Sequence, residues 1–503
     1  MLLGSSLMLW GAEAATPEPP SPAEDGTLPA LTAIAGQGMM QSHAYEELQE
    51  LADQIGGRVT GSPQAALAVQ WGVATMRALG LQNVRAEKWM MKRGWTRVSA
   101  TARLTLPVHR NLTISSMGWT GSTPAGGSEA EVVPVNDFQL DQEMKDNSAK
   151  WAGKILLVIQ RGEPSKDREQ RFIKFGEFLK AAYSAHALAV IGGQGGSRAE
   201  GMHLTHTGIL GYETFFDVPV VSITAEDQAL IERFLDQHKS VRIRMDVQNK
   251  VTDGPVESAN VVGDIPGVEH PEQIVIVSGH LDSWDLSDGA TDDGTGVATT
   301  LGAAEAVLKS GFKPRRTLRF VLFTGEEQGL LGSLAYTRMH KSEMPDHVAA
   351  IVLDDGQGPV VKLTLGGRKD LVPAVKKFVD SIKAFGEVTV DDGVVFEEDS
   401  GSFTLEGLPG ISALQDSPEY RYTHHSEVDT LDKVKDSILI QDATVLALTG
   451  FWIADRPERL ASPWTPEQTA KMLIERHEDT ELKALGMWPF GNLGEPQKPV
   501  GKN

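Results

Sequence analysis

The chain has 503 residues, a formal net charge of −21 and no cysteine. That charge argues against nucleic acid or an anionic membrane as a partner, since both require basic patches, and the lack of thiols excludes disulfides, thiolate zinc sites and cysteine nucleophiles. Any metal must be held by His, Asp and Glu, supplied by 13 histidines and 68 carboxylates, while the 41% apolar content is ordinary for a globular protein and no apolar run reads as long enough to span a bilayer.

Residues 1–25 read as a signal peptide and a Pro-rich linker. Leu2–Leu9 is a short apolar core and Ala12-Glu13-Ala14 a small-x-small cleavage site, although a positive leading region is missing. The expectation is export to the periplasm or the extracellular space. From Tyr45 to Leu81 the sequence predicts two amphipathic helices, YEELQELADQIGG and SPQAALAVQWGVATMRALG. Each has apolar residues at three-four spacing and stops at glycine. The alternating VSATARLTL follows, and a Gly/Ser/Pro patch at 121–128 suggests a boundary. We therefore expect 30–125 to be the first part of a catalytic domain.

Residues 126–252 read as a compact inserted α/β unit. GKILLVIQRG, HALAVIGGQGG and DVPVVSIT are short buried strands, separated by the helical FGEFLKAAYSA and DQALIERFLDQ. From 253 to 458 the texture becomes strand-helix-strand. The strands are QIVIVSG, TLRFVLFTGEE, HVAAIVLDD and GISALQD. The helices are GVATTLGAAEAVLKSG, GLLGSLAYTRMHK, DLVPAVKKFVDSIKAFG and DSILIQDATVLALTGFWIAD. Such alternation predicts a three-layer α/β sandwich with a mostly parallel sheet. Lys313, Arg315 and Arg316 read as a solvated turn, and 459–503 as a C-terminal extension.

The stretch GHLDSWDLSDGATDDGTG, residues 279–296, crowds five aspartates and His280 at the end of an apolar strand. Like charges repel, and buried unpaired carboxylates are costly, so either the stretch is a solvated loop or something positive sits there. In parallel sheets ligands bind beyond the carboxyl ends of the strands. His280 and Asp282 end one strand, Asp292 precedes a helix, Glu326 and Glu327 end a second strand, Asp354 and Asp355 a third, and His425 follows a fourth. Each pair alone is more often a turn, a cap or a packed histidine. Their joint placement on one edge points to a metal site.

HLD at 280–282, TDDGTG at 291–296, TGEEQGLLGS at 324–333, VLDDG at 352–356 and HSEVDT at 425–430 resemble the co-catalytic di-zinc aminopeptidase and carboxypeptidase family of the MH clan. Within it, GHLDSWD, PRRTLRFVLFTGEEQG and YTHHSEVDT are similar to the plasma glutamate carboxypeptidase group. The resemblance implies the zinc exopeptidase fold with a protease-associated-like insert, and two zinc ions per chain; the insert reads as a lid narrowing the crevice to short peptides, the alternative being a structural appendage. It assigns one ion to His280 and Asp354, the other to Glu327 and His425, and has Asp292 bridge both. It implies Asp282 as the orienter of His280, Glu326 as general base to a bridging hydroxide, and a cis peptide between Asp292 and Asp293. The family spacing favours Asp354 over Asp355 and the HSxxDT register favours His425 over His424. Phe403 departs from the Asp, Asn or His that many relatives carry there, which puts the substrate pocket in question. The expected substrate is a dipeptide or short peptide with a free amino terminus. No nucleic acid and no membrane span are expected, and a homodimer is left open. Two alternatives remain: a glutaminyl-cyclase-like aminoacyltransferase on the same fold, and a metal-free, receptor-like binding protein. The intact bridging site and the insert weigh against the first, and the complete ligand set with its base against the second.

Overall fold

The computed structural model describes residues 27–162, 168–192, 202–211 and 214–493; the expected signal peptide lies outside them. Strands fall at β1 Gln82–Met91, β2 Gly94–Leu106, β3 Arg110–Leu112, β4 Ile114–Ser116, β5 Ser128–Asn136, β6 Ile155–Ile159, β7 Ala189–Ile191, β8 Val220–Ile223, β9 Arg242–Thr252, β10 Val256–Ile265, β11 His270–His280, β12 Arg316–Phe323, β13 His347–Val352, β14 Val360–Thr364, β15 Thr389–Asp391 and β16 Gly410–Gln415. They form two eight-stranded sheets, one ordered β1-β10-β12-β11-β13-β16-β14-β15 and the other β3-β2-β9-β5-β6-β7-β8-β4.

The first sheet is parallel at its centre, where β12, β11, β13 and β16 run together. Its flanks are antiparallel at β1–β10, β10–β12 and β14–β16. At the far edge β14 and β15 pair in parallel, so four of the seven neighbouring pairs are parallel: the sheet is mixed, with the expected parallel majority. A parallel neighbour needs a crossover of a dozen or more residues, which the helices between these strands supply; β14 and β15 escape the sequence reading.

The helix Asp436–Asp455 packs against the helices Leu28–Gln41 and Thr295–Ser310 and against β11 and β12. Trp452 stacks on Phe378 with ring centroids 4.4 Å apart, and burying side chains of this size is worth roughly 1.5–3 kcal/mol each. Gly450 permits the approach, because a Cβ there would lie 2.9 Å from Val277. Contrary to the reading of the apolar runs, this helix is long and apolar enough to cross a membrane by length and composition alone. Of its apolar window, 78% is buried inside the protein, so its hydrophobicity serves the core.

The second sheet begins earlier than the expected boundary at 126. β2 pairs with β9 from Gly94 opposite Thr252 to Leu106 opposite Arg242, and β4 pairs with β8. Residues 94–116 therefore belong with this sheet, and the Gly/Ser/Pro patch at 121–128 lies within the unit. Arg316 is also not solvated. It is buried and donates to the Gln273 side chain at 2.6 Å and to main-chain carbonyls of Ala454 and Arg456, placing a cation at the carboxyl end of the Asp436–Asp455 helix. The C-terminal extension forms the helices Pro466–Glu475 and Glu478–Ala484, with Leu473 and Leu482 packed beside Phe396 and Leu405.

Candidate metal centre

Register decides what meets at the sheet edge. In β11, Ser278 stands opposite Val352 of β13 and His280 opposite Phe323 of β12. The segments beyond, carrying Glu326-Glu327 and Asp354, therefore emerge beside His280. His425 arrives on the loop after β16 and the short helix Tyr420–Thr423, with φ +60°. Asp292 lies in the turn before the helix Thr295–Ser310, and its peptide bond to Asp293 is cis. Gly296 is required by close approach: a Cβ there would lie 2.2 Å from Asp293 Oδ2 and 2.4 Å from the Leu353 carbonyl.

His280 Nε2 lies 3.1 Å from Asp292 Oδ1, 3.4 Å from Asp354 Oδ1 and 3.9 Å from Glu326 Oε2. His425 Nε2 lies 2.9 Å from Glu327 Oε2 and 3.3 Å from Asp292 Oδ2. One aspartate thus presents one oxygen to each histidine. Asp355 turns away, its Oδ2 accepting from the Gln415 N–H at 3.1 Å. His424 stacks on His425 at 3.6 Å between centroids and also offers a donor atom near Asp292 and His425.

The supports of this cluster are main-chain as much as side-chain. His280 Nδ1 is 2.9 Å from the Asp282 main-chain carbonyl and 3.6 Å from the Asp282 carboxylate. The carbonyl is the nearer orienter of the ring. The Asp282 carboxylate instead accepts from the Thr60 hydroxyl at 2.8 Å and from the Glu326 N–H at 3.3 Å. Asp293 accepts from the N–H groups of His280 and Gly296 at 2.9 and 2.8 Å.

The donor set fits a cation. Asp292 Oδ2 and Glu327 Oε1 are buried and accept no hydrogen bond, which is expensive for a carboxylate without a positive partner. Burial, with Asp292 adding to it, pushes Glu327 up to about 7. Burial and then Asp354, against His280, hold Glu326 well above the usual carboxylate range. A divalent ion answers these penalties, and the oxygen and imidazole donors are those of an open zinc site.

Several contributors escaped the sequence reading. Arg58 is fully buried and donates to the main-chain carbonyls of Leu281 at 2.5 Å, Asp288 at 2.8 Å and Gly289 at 2.9 Å, which ties down the aspartate-rich loop. Asp429 accepts from the N–H and hydroxyl of Thr291 at 2.6 and 2.7 Å and from the Asp292 N–H at 3.3 Å. It stands inside the HSEVDT motif, so its signal was present. Tyr420 packs over Gly356. Burial, then the charges of Asp292 and Asp354, hold its phenol well above the ordinary range, so it stays a proton donor. Asp399 is buried beside the site, and burial pushes it up to about 7. Phe403 is buried against Phe323 and Tyr336 at 6.1 and 5.9 Å, in the core rather than in the cleft.

Residues 260–449 match the model of peptidase family M28. Carboxypeptidase Q of Mus musculus is 31% identical over 437 residues, covering 86% of this chain and 90% of that protein. Carboxypeptidase Q of Xenopus laevis is 30% identical over 434 residues, covering 85% and 89%.

The chain belongs to peptidase family M28.

Its fold agrees. The crystal structure of an M28 peptidase precursor from Shewanella amazonensis superposes with a TM-score of 0.76 at 28% identity, covering 87% of this chain and 99% of that one. An aminopeptidase from an Aneurinibacillus strain superposes with a TM-score of 0.62 at 23% identity, a likeness of fold. As an M28 peptidase the chain is a hydrolase, a zinc exopeptidase whose donor cluster lies inside the matched region.

Proposed function

We propose that this M28 peptidase carries two zinc ions and cleaves dipeptides or short peptides from a free amino terminus. The observation that supports this reading is Asp292, whose two oxygens face His280 and His425 at 3.1 and 3.3 Å. His280 and Asp354 would hold one ion, Glu327 and His425 the other, and Asp292 both. Two zinc ions so held supply Lewis acidity toward the scissile carbonyl and lower the pKa of water in the cleft.

The chain's residues do the rest. Glu326, whose Oε2 stands 3.9 Å from His280 Nε2 at the edge of the cluster, takes a proton from the attacking water and passes it to the leaving amine nitrogen. The Asp282 carboxylate fixes Glu326 through its main-chain N–H. Carboxylates in excess of what the ions neutralise attract the substrate's α-ammonium. The second sheet serves as a lid that narrows the cleft, a role the protease-associated-like reading of the insert shares. The chain is exported, the leading segment being cleaved at the Ala12-Glu13-Ala14 site ahead of the Pro-rich linker.

A digest of a dipeptide library, with free and acetylated amino termini and with and without chelator, tests the reading. Cleavage confined to free amino termini and abolished by chelator is expected. Equal turnover of acetylated peptides excludes the exopeptidase assignment.

A further inference from the structure

The histidine at the metal centre has an unusual backbone. His425 is a non-glycine residue at φ +60°, a conformation that is costly for an L-residue and that its surroundings help to hold. Those surroundings include the second-sheet unit, far away in sequence. His206 Nδ1 lies 2.7 Å from the main-chain carbonyl of His424. A carbonyl only accepts, so this nitrogen carries the proton. The Thr207 N–H donates to the carbonyl of His425 at 2.8 Å. These two carbonyls belong to the peptide planes on either side of the His425 Cα. Rotating φ turns the first plane and rotating ψ the second, so each torsion is restrained by one hydrogen bond from the same dipeptide, the second plane being held also by the Ser426 N–H bond to the Thr423 carbonyl at 3.0 Å. His206 and Ser426 pair as an isolated antiparallel bridge. The Thr205 N–H and hydroxyl both donate to the Glu427 carboxylate, at 3.3 and 3.1 Å.

The dipeptide is itself anchored. The Thr207 hydroxyl donates to the Ser116 carbonyl at 3.1 Å and accepts from Arg97 Nη2 at 3.0 Å, and the Gly118 N–H donates to the Gly208 carbonyl at 2.9 Å. Arg97 is in turn paired with Asp285 at 3.0 Å. His206 is 1% exposed and Thr207 fully buried. Their bonds to the 424–427 loop are therefore shielded from competing water.

We infer that His206 and Thr207 are positioning residues for His425: a strap from the second-sheet unit that sets the ligand's backbone, so that docking of that unit governs retention of the ion shared by Glu327 and His425. The inference rests on the assignment of His425 as a metal ligand. By linkage the coupling is reciprocal, and loading that ion must tighten the strap. Residues that orient a metal-bound histidine are typically worth ~10–100-fold in metal affinity.

The test measures zinc affinity at each site by competition with a chromophoric chelator for wild type, His206→Ala, His206→Asn and His425→Ala, with circular dichroism as the check on folding. His206→Ala is expected to weaken one ion about 10–100-fold and leave the other within about three-fold. His206→Asn, whose amide N–H can reach the same carbonyl, is expected to restore most of the loss. Hydrogen exchange on the wild-type protein gives a reading that needs no variant: adding zinc to metal-free enzyme should slow the amides of 205–208 and 424–427 together. A folded His206→Ala with wild-type zinc affinity, equal losses for the Ala and Asn variants, or exchange at 205–208 that ignores zinc each overturns the strap. If His425→Ala itself keeps both ions, the failure lies in the ligand assignment beneath it.

Discussion

His280 Nε2 lies 3.4 Å from Asp354 Oδ1 because two parallel strands place them at the same height. Ser278 stands opposite Val352, and two residues further on each chain delivers its donor. The neighbouring Asp355 leaves on the other side and bonds the β16 main chain through Gln415. Asp354→Ala is accordingly expected to cost one zinc per chain by elemental analysis, and Asp355→Ala to keep both. The opposite result would reverse the assignment of the two aspartates.

Removing metal should remove activity. Asp292 Oδ2 and Glu327 Oε1 accept no hydrogen bond, so the cluster depends on a cation for its compensation. Exhaustive dialysis against chelator is expected to abolish peptide hydrolysis, and about two equivalents of zinc to restore it. Full activity in protein verified as metal-free would defeat the di-metal reading.

Glu326→Gln isolates proton transfer from metal binding. Glutamine matches glutamate in shape but cannot accept a proton, and such transfer is typically worth ~10²–10⁴ in rate. The expected enzyme keeps two zinc ions and its KM while kcat falls by about that factor. A variant that loses zinc instead would show that Glu326 and Glu327 have exchanged roles.

Arg58→Met should weaken both fold and site. The guanidinium serves the carbonyls of Leu281, Asp288 and Gly289 from a fully buried position, and buried acceptors left unmet cost about 1–3 kcal/mol each. Urea unfolding of the zinc-loaded variant is expected to show a loss of about 3 kcal/mol or more, with weaker zinc binding. A loss under about 1 kcal/mol would mean that water replaces the side chain without penalty.

His347 gives the stability a pH dependence away from the site. Burial holds its imidazole down at about 4, against an ordinary value of about 6.5. Nδ1 donates to the Glu343 carbonyl and Nε2 accepts from the Tyr336 hydroxyl, both at 2.9 Å, so a second proton on Nε2 would break the bond that the hydroxyl donates. With the folded pKa depressed, the unfolded chain binds more protons between these values. The stabilisation is therefore complete above about pH 6.5 and lost as pH falls toward 4, at up to roughly 3 kcal/mol. Denaturation of metal-free protein at pH 7 and pH 4.5 should show wild type losing more stability than His347→Gln. Equal losses would show that His347 does not carry the acid sensitivity.

The strand-helix-strand texture after residue 253 and the crowding of His and carboxylate at strand ends were legible because both are local patterns. A period of two or three to four residues names an element, and a strand's last residues name its edge. Choosing among adjacent donors, Asp354 over Asp355 and His425 over His424, went beyond that pattern and drew on the family's spacing. In the structure, Asp355 is turned aside by the main chain of β16, a partner 60 residues away.

Tertiary structure alone brought Arg58 beneath the aspartate loop and His206 against the His425 backbone, across 223 and 218 residues. It also alone enlisted 94–116 in the second sheet and set antiparallel pairs on either side of the first sheet's parallel centre. Neither an isolated buried arginine nor a strand's choice of neighbour leaves a periodic trace. Each is fixed by pairing free energy that exists only once distant segments meet, so the sequence determined which groups stand at the sheet edge and the fold decided what holds them there.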